Sequence, residues 1–275
     1  MKEESNLIPK IIHYCWFGGN PLPELAQKCI SSWKKFFPDY EIKEWNEQNY
    51  DVNKILYTKQ AYEAKKYAFV SDYARFDILY QYGGLYFDTD VEVIKPMDEI
   101  LKRGAFAGVE RTGDASSLNA GLGLASPAAS PIYKEILDSY KDTSFLNEDG
   151  TQNLTTVVTR VSDIFKNHGL KDIDEIQTVA GVTVYPVDYF CPKDYITGKM
   201  NITQNTHTIH WYDGSWLLPI DREMNTYIYK ILSKYGKSKK STFLIVFHRL
   251  IKSVQYFGFG KKFVEYWKSV LKNNN

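Results

Sequence analysis

Two aspartates, Asp88 and Asp90, close the apolar run Leu85-Tyr86-Phe87. In an extended chain residues i and i+2 point the same way, so the two carboxylates are expected side by side at a strand end. There they repel each other unless a cation sits between or beside them. Oxygen ligands suit Mg²⁺ or Mn²⁺, which commonly bridge protein carboxylates to phosphate oxygens. Such an ion on a diphosphate also stabilises it as a leaving group. The bland alternative is a strand-to-turn aspartate capping nearby amides. A second such pair, in Asp172-Ile173-Asp174, has no strand before it and reads as solvated surface.

Upstream, Asp72 and Arg75 stand three apart in Val70-Ser71-Asp72-Tyr73-Ala74-Arg75. On a helix that spacing puts them on one face. Two readings stand: an ion pair at a buried helix surface, or a pair that binds the hydroxyls of a polar ligand near the metal.

The elements that must position these residues follow from periodicity. Ile8 to Phe17 reads as a strand ending at Gly18-Gly19-Asn20-Pro21. Leu25, Cys29, Ile30 and Trp33 share a helical face before Pro38, and Tyr40 to Trp45 reads as a second strand. Lys59 to Tyr82 reads as one long helix stopped by Gly83-Gly84. Strands are expected near 85–87, 91–94, 105–109, 118–125 and 206–211, and helices near 132–140, 153–165 and 223–234. Alternating strands and helices predict an α/β sheet. No internal repeat or low-complexity linker interrupts the 275 residues.

Apolar residues make up 44% of the chain, enough for a substantial core. Aromatics reach 15%, which suits sugar and base stacking as well as core filling. From Lys234 onward ten basic residues face the single acid Glu265, while the preceding part carries 24 basic against 32 acidic residues. A mildly acidic globule therefore ends in a basic tail, and nucleic-acid binding has little support. Cys15, Cys29 and Cys191 are scattered, which argues against a disulfide framework or a zinc site and suits a reducing compartment. Met1 to Asn6 is polar, without a signal-like apolar region, and no run approaches a membrane span. A cytoplasmic location is the expectation.

Taken together, Ile8-Pro9-Lys10-Ile11-Ile12-His13 with Trp16-Phe17-Gly18, Ser71-Asp72-Tyr73-Ala74-Arg75, and Gly83-Gly84-Leu85-Tyr86-Phe87-Asp88-Thr89-Asp90 resemble the DXD sugar-binding glycosyltransferases. This is the family-32 group of yeast-type initiating mannosyltransferases and bacterial capsule enzymes, similar here to the catalytic domains of clostridial glucosylating toxins. The resemblance covers roughly the first 125 residues and a stretch near residue 210. It implies a GT-A fold, a Rossmann-like nucleotide half joined to an acceptor half, over residues 1–235. A helical tail would occupy 236–275. It implies a nucleotide-sugar donor, with UDP-hexose favoured, Mn²⁺ or Mg²⁺, and retention of anomeric configuration.

By the same resemblance Trp16 would stack on the nucleobase. Asp72 and Arg75 would hold the donor sugar, and Tyr86 would contact the donor. Asp88 would bind ribose and reach the metal through water, and Asp90 would ligate it directly. Leu118-Asn119-Ala120-Gly121-Leu122 is similar to a segment whose Asn lines the sugar pocket; a β-bulge in a core strand is the other reading. His207-Thr208-Ile209-His210-Trp211-Tyr212-Asp213-Gly214-Ser215-Trp216 resembles a late family segment. Alternation sets Thr208 and His210 on one strand face. His210 is then a metal or diphosphate contact, or a hydrogen-bonded core residue. Ser215 and Trp216 would close over the phosphates.

These residues predict a front-face transfer assisted by Arg75 and by amides of the Gly18-Gly19 loop. The acceptor would be a saccharide of capsule or O-antigen type. Two other functions compete. A haloacid-dehalogenase-like phosphatase could use Asp88 and Asp90, although Glu92 stands where Thr or Val is expected and a long α/β segment precedes the motif. A carbohydrate-binding module would explain the aromatics but not the acids and Arg75. The basic tail reads either as a peripheral segment on anionic lipid at the inner membrane face, near a lipid-linked acceptor, or as helices packed on the core.

Overall fold

The computed structural model describes residues 7–112, 115–214 and 219–272. In chain order the elements are β1 (Ile11–Cys15), α1 (Glu24–Phe36), β2 (Glu41–Trp45), α2 (Leu56–Glu63), α3 (Tyr67–Tyr82), β3 (Gly84–Tyr86), β4 (Val91–Val93) and α4 (Asp98–Leu101). There follow β5 (Phe106–Thr112), β6 (Ala115–Ser126), α5 (Pro131–Asp138), α6 (Val157–Asn167), β7 (Gln177–Val179), β8 (Val182–Tyr185), α7 (Val187–Phe190) and β9 (Thr208–His210). Three helices close the described chain: α8 (Pro219–Tyr235), α9 (Lys239–Phe257) and α10 (Lys261–Lys272).

Seven strands form one mixed sheet in the order β2-β1-β3-β6-β5-β8-β7, which is the expected α/β class. β1 runs parallel to β2 and β3, with Ile12 opposite Ile42 and Leu85. β6 is antiparallel to both β3 and β5, and β8 is parallel to β5. Helices cover both faces. One layer holds Tyr57, Phe76, Tyr133 and Phe165 from α2, α3, α5 and α6. The other holds Trp33 of α1 with Phe87, Phe106 and Phe190. α1 packs through Ala26, Cys29, Ile30 and Trp33, an i, i+3, i+4, i+7 stripe. Its Trp33 Nε1 donates to Val91 O at 2.7 Å, which pins α1 to β4.

Two local features aim the acids. Gly83 ends α3 at φ +63°, where an added Cβ would lie 2.8 Å from the Ala128 amide nitrogen, so glycine alone suits the turn into β3. In the β5–β6 ladder Ala107 pairs with Leu124 while the next residue, Gly108, pairs with Asn119. Residues 120–123 therefore bulge from the ladder, and the Asp88 amide donates to Gly121 O within that excursion.

The long helix expected over 59–82 is two helices. They break at Ala64–Lys66, where Lys65 adopts φ +57° and the Lys66 amide returns to Ala61 O. A left-handed C-terminal turn usually carries Gly or Asn; here a lysine fills it, so the sequence shows no breaker. β7 and β8 were not anticipated either.

The chain divides into two compact units. The first comprises residues 1–193 and 200–212, and the second 194–199 and 213–275. The main part of the second unit starts at Asp213, whereas the sequence places a division after residue 235. The reason is α8, whose Ile220 and Met224 are buried together with Tyr266 of α10.

Candidate functional site

The hub of the site is Arg75, whose side chain is 4% exposed. It is presented by α3, where nearly every residue from Phe69 to Leu79 is buried. Its Nε donates to Ser71 O at 3.1 Å, which fixes the guanidinium plane. Nη2 reaches Asp72 Oδ1 at 2.9 Å, while Nη1 reaches Asp88 Oδ2 at 3.3 Å. The ring of Tyr86 lies 5.0 Å from the guanidinium carbon, and its hydroxyl donates to Asp88 Oδ1 at 2.9 Å. Burial pushes the Asp72 carboxyl up to about 6 although Arg75 pulls it down. Burial also opposes charge on Arg75, but Asp88, Tyr86 and Asp72 hold its pKa above the ordinary arginine value. The ion-pair reading of Asp72 and Arg75 is what the geometry displays, and Arg75 continues to Asp88, whose side chain is 30% exposed.

Asp88 and Asp90 do not extend a strand. The chain turns after Asp88, closed by the Val91 amide on Asp88 O at 3.0 Å, so strand alternation does not apply and the carboxylates meet different partners. Asp90 Oδ1 lies 3.4 Å from His210 Nε2, brought there by the β4–β9 pair in which Val91 faces His210. Burial disfavours charge on His210, yet the Asp90 carboxylate, followed by Cys191, keeps its pKa well above the usual histidine value. His210 Nδ1 is buried without a hydrogen-bond partner among the described residues. A carboxylate facing an imidazole nitrogen is a donor pair that fits a divalent cation. Asp90 and His210 are the groups that would hold it, with Asp88 across the turn.

Residues that the sequence did not single out complete the site. Glu110 of β5 accepts from Asn119 Nδ2 at 2.8 Å and from the Tyr212 hydroxyl at 3.1 Å. Tyr212 also lies 2.9 Å from Cys191 Sγ. Lys193 donates to Trp211 O at 2.6 Å; burial lowers its pKa and the nearby Asp90 opposes that. These residues lie far apart in sequence and carry no motif; pairing of β5, β6, β4 and β9 assembles them.

The remaining expected residues fall as follows. Asn119 Oδ1 accepts from the Gly121 amide at 2.7 Å, so both ends of its amide brace the bulge. Tyr86 is buried behind Asp88 and acts on it directly. Trp16 is half-buried, with Nε1 on Asn20 O at 2.6 Å across the glycine loop. The Gly18 amide, expected as a donor to ligand, is taken by Glu47 Oε1. Gly18 itself is required because a Cβ at its φ of +97° would strike the Tyr67 ring. Ser215 and Trp216 lie outside the described residues. Asp172 and Asp174 are exposed, as expected.

Residues 23–107 match the family described as glycosyltransferase sugar-binding region containing DXD motif. Inositol phosphoceramide mannosyltransferase 1 of Schizosaccharomyces pombe is 31% identical over 114 residues, 38% of this chain and 34% of the relative. Inositol phosphoceramide mannosyltransferase 3 of the same organism is 32% identical over 130 residues, 44% and 35% of the two chains. The chain thus spans about a third of the length of these curated relatives. Among solved structures, a glycosyltransferase involved in glycosylation of the major capsid of PBCV-1 overlaps 80% of this chain and 99% of its own, with TM-score 0.45 and 12% identity. The galactosyltransferase LgtC, solved with donor and acceptor sugar analogs, overlaps 82% and 98%, with TM-score 0.41 and 13% identity. The segment that holds Asp72, Arg75, Asp88 and Asp90 therefore lies within the match to the glycosyltransferase sugar-binding region containing DXD motif.

Proposed function

We propose that this chain is a retaining, metal-dependent glycosyltransferase of the GT-A type, moving a hexose from a nucleotide diphosphate donor to a saccharide acceptor. The observation that carries the reading is the Arg75 fork between Asp72 and Asp88, one turn from the Asp90–His210 pair and inside the matched region. The arrangement offers fixed hydrogen-bond acceptors for sugar hydroxyls at Asp72 and Asp88, and a divalent-cation site at Asp90 and His210. When bound, the ion supplies neutralisation of the departing diphosphate. Lys193, beside Asp90, adds a cation on the same side.

Asp72 and Asp88 are both engaged by Arg75, which disfavours either as an attacking nucleophile. That supports a front-face reaction in which the acceptor hydroxyl enters on the side the diphosphate leaves. The same pairing speaks against the phosphatase alternative, which needs a free attacking aspartate at Asp88. The motif here also follows β3 rather than opening the sheet.

The sequence resemblance favours UDP, while the relatives' names point to mannose transfer and to a lipid, inositol phosphoceramide. A lipid-linked acceptor of capsule or O-antigen type joins these hints to the basic tail. Among the described residues no helix is long and apolar enough to cross a membrane.

The test is nucleotide release from UDP-, GDP- and CMP-sugars with Mn²⁺, read beside donor-induced thermal shift. The expected result is metal-dependent release from one donor. It should fall at least about 100-fold in Asp90→Asn, whose fold should be intact. Full turnover after metal stripping would reject the metal-dependent reading. Absence of both release and thermal shift would return the carbohydrate-binding alternative.

A further inference from the structure

Sequence spacing argues against a zinc site, because the three cysteines are scattered. Folding brings one of them to an imidazole and a carboxylate. Glu110 of β5, Cys191 after α7 and His210 of β9 each offer a ligand atom, and all three atoms lie within 4.8 Å of one another. Tetrahedral zinc with one sulfur, one nitrogen and one oxygen ligand needs ligand–ligand separations of roughly 3.4–3.6 Å. The three atoms are therefore at most roughly 1.4 Å further apart than zinc requires.

Features of two residues, His210 and Tyr212, mark this place as built. His210 is 8% exposed, and its Nδ1 has no hydrogen-bond partner among the described residues. Burying such a group unpaired is costly. The Tyr212 hydroxyl touches both Cys191 Sγ at 2.9 Å and Glu110 Oε2 at 3.1 Å, as an outer partner that orients metal ligands does. Tyr212 itself is held at φ +55°, a strained conformation for a bulky residue and one that persists where the surroundings enforce it.

We propose that Glu110, Cys191 and His210 form a soft-cation site that takes zinc through a thiolate, distinct in ligand chemistry from the site at Asp90. On binding, the Cys191 S–H loses its proton to solvent as the zinc–sulfur bond forms. His210 is shared with the Asp90 pair, so zinc seated here draws the imidazole away from Asp90. Zinc added over Mn²⁺ should then inhibit donor turnover.

The proposal does not rest on the glycosyltransferase reading, because its test is spectroscopic. Metal-stripped full-length protein is titrated with CoCl₂, and the near-ultraviolet thiolate-to-cobalt charge-transfer band is followed, then displaced with ZnCl₂. The expected result is a band lost in Cys191→Ser, kept in Cys15→Ser and kept in Asp90→Asn. Zinc affinity should weaken at least tenfold in Cys191→Ser. Glu110→Gln, which keeps shape and hydrogen bonding, should weaken zinc as well and guards against misfolding of the cysteine variant. Cobalt bound without a thiolate band overturns the proposal, as does a band that survives in Cys191→Ser.

Discussion

At the scale of single residues, the site depends on a carboxylate held in place by neighbours that have no freedom to adjust. Asp88 is gripped by Arg75 and Tyr86 and backed by the β6 bulge. An added Cβ at Gly121 would lie 2.1 Å from Asp88 Oδ2, yet Gly121 does not occupy the left-handed backbone region. Gly121→Ala is therefore tolerable to the backbone and intolerable to the carboxylate. Stability should fall by about 1–3 kcal/mol, the usual cost of overpacking, while turnover falls about 100-fold, the usual effect of an ångström-scale displacement. Thermal melts beside donor turnover check both halves; unchanged turnover would remove Asp88 from the machinery. Asp72, Arg75, Asp88 and Asp90 were legible from the sequence because they cluster within nineteen positions of local pattern. Glu110, Cys191, Lys193 and Tyr212 were not, since only the long-range register of β5 and β6 and of β4 and β9 makes them neighbours.

At the scale of elements, short strands and a turn are held by a single buried imidazole. His13 on β1 accepts from Trp45 Nε1 on β2 at 3.1 Å, and its Nε2 donates to Gly83 O at the end of α3 at 2.9 Å. Those two bonds require the neutral ring. Burial, with a lesser effect from Lys43, lowers its pKa to about 4 despite the bond to Gly83. The unfolded chain binds this proton near pH 6.5 and the folded chain near 4. His13 thus contributes stability fully above about pH 6.5 and loses it as pH falls toward 4, by about 2 kcal/mol at pH 5. Asp72 and His210, with raised values, shift stability the other way over the same range. The measurement is consequently a difference: denaturant unfolding at pH 7 and pH 5 for wild type and His13→Gln. The wild type should lose about 2 kcal/mol more than the variant on acidification; equal losses would mean that His13 is not buried neutral. Strand β1 and its glycine turn were legible from apolar and glycine pattern. The α2–α3 break was not, because a lysine takes the left-handed position.

At the scale of the whole molecule, the second unit has an unmet surface. Its inner side is satisfied: Ile220 and Met224 of α8 bury with Tyr266 of α10, while Trp267 Nε1 donates to Ser253 of α9 at 2.8 Å. The outer side of α9 is not. Phe243, Val246, Phe247, Leu250 and Ile251 fall at i, i+3, i+4, i+7 and i+8, and their exposures run from 40% to 67%. Lys239, Lys240, Arg249 and Lys252 share the helix, and α10 adds Lys261, Lys262 and Lys268 against the one acid Glu265. An apolar stripe flanked by cations suits the boundary of an anionic bilayer, where apolar burial and charge attraction act together. The sequence left open whether this tail packs on the core or meets lipid. Within the second unit the stripe is exposed, and contact with lipid is the reading put to the test. Each phenylalanine that enters the boundary contributes about 1.5–3 kcal/mol. Flotation with phosphatidylserine-containing vesicles should therefore recover the wild-type chain. Phe243→Asp/Phe247→Asp should weaken partitioning by at least about tenfold, and added salt should weaken the wild type. Both substituted positions are exposed, so the fold should survive and thermal melts should match. Equal flotation of wild type and variant would end the membrane reading and leave the stripe to be explained by protein contact.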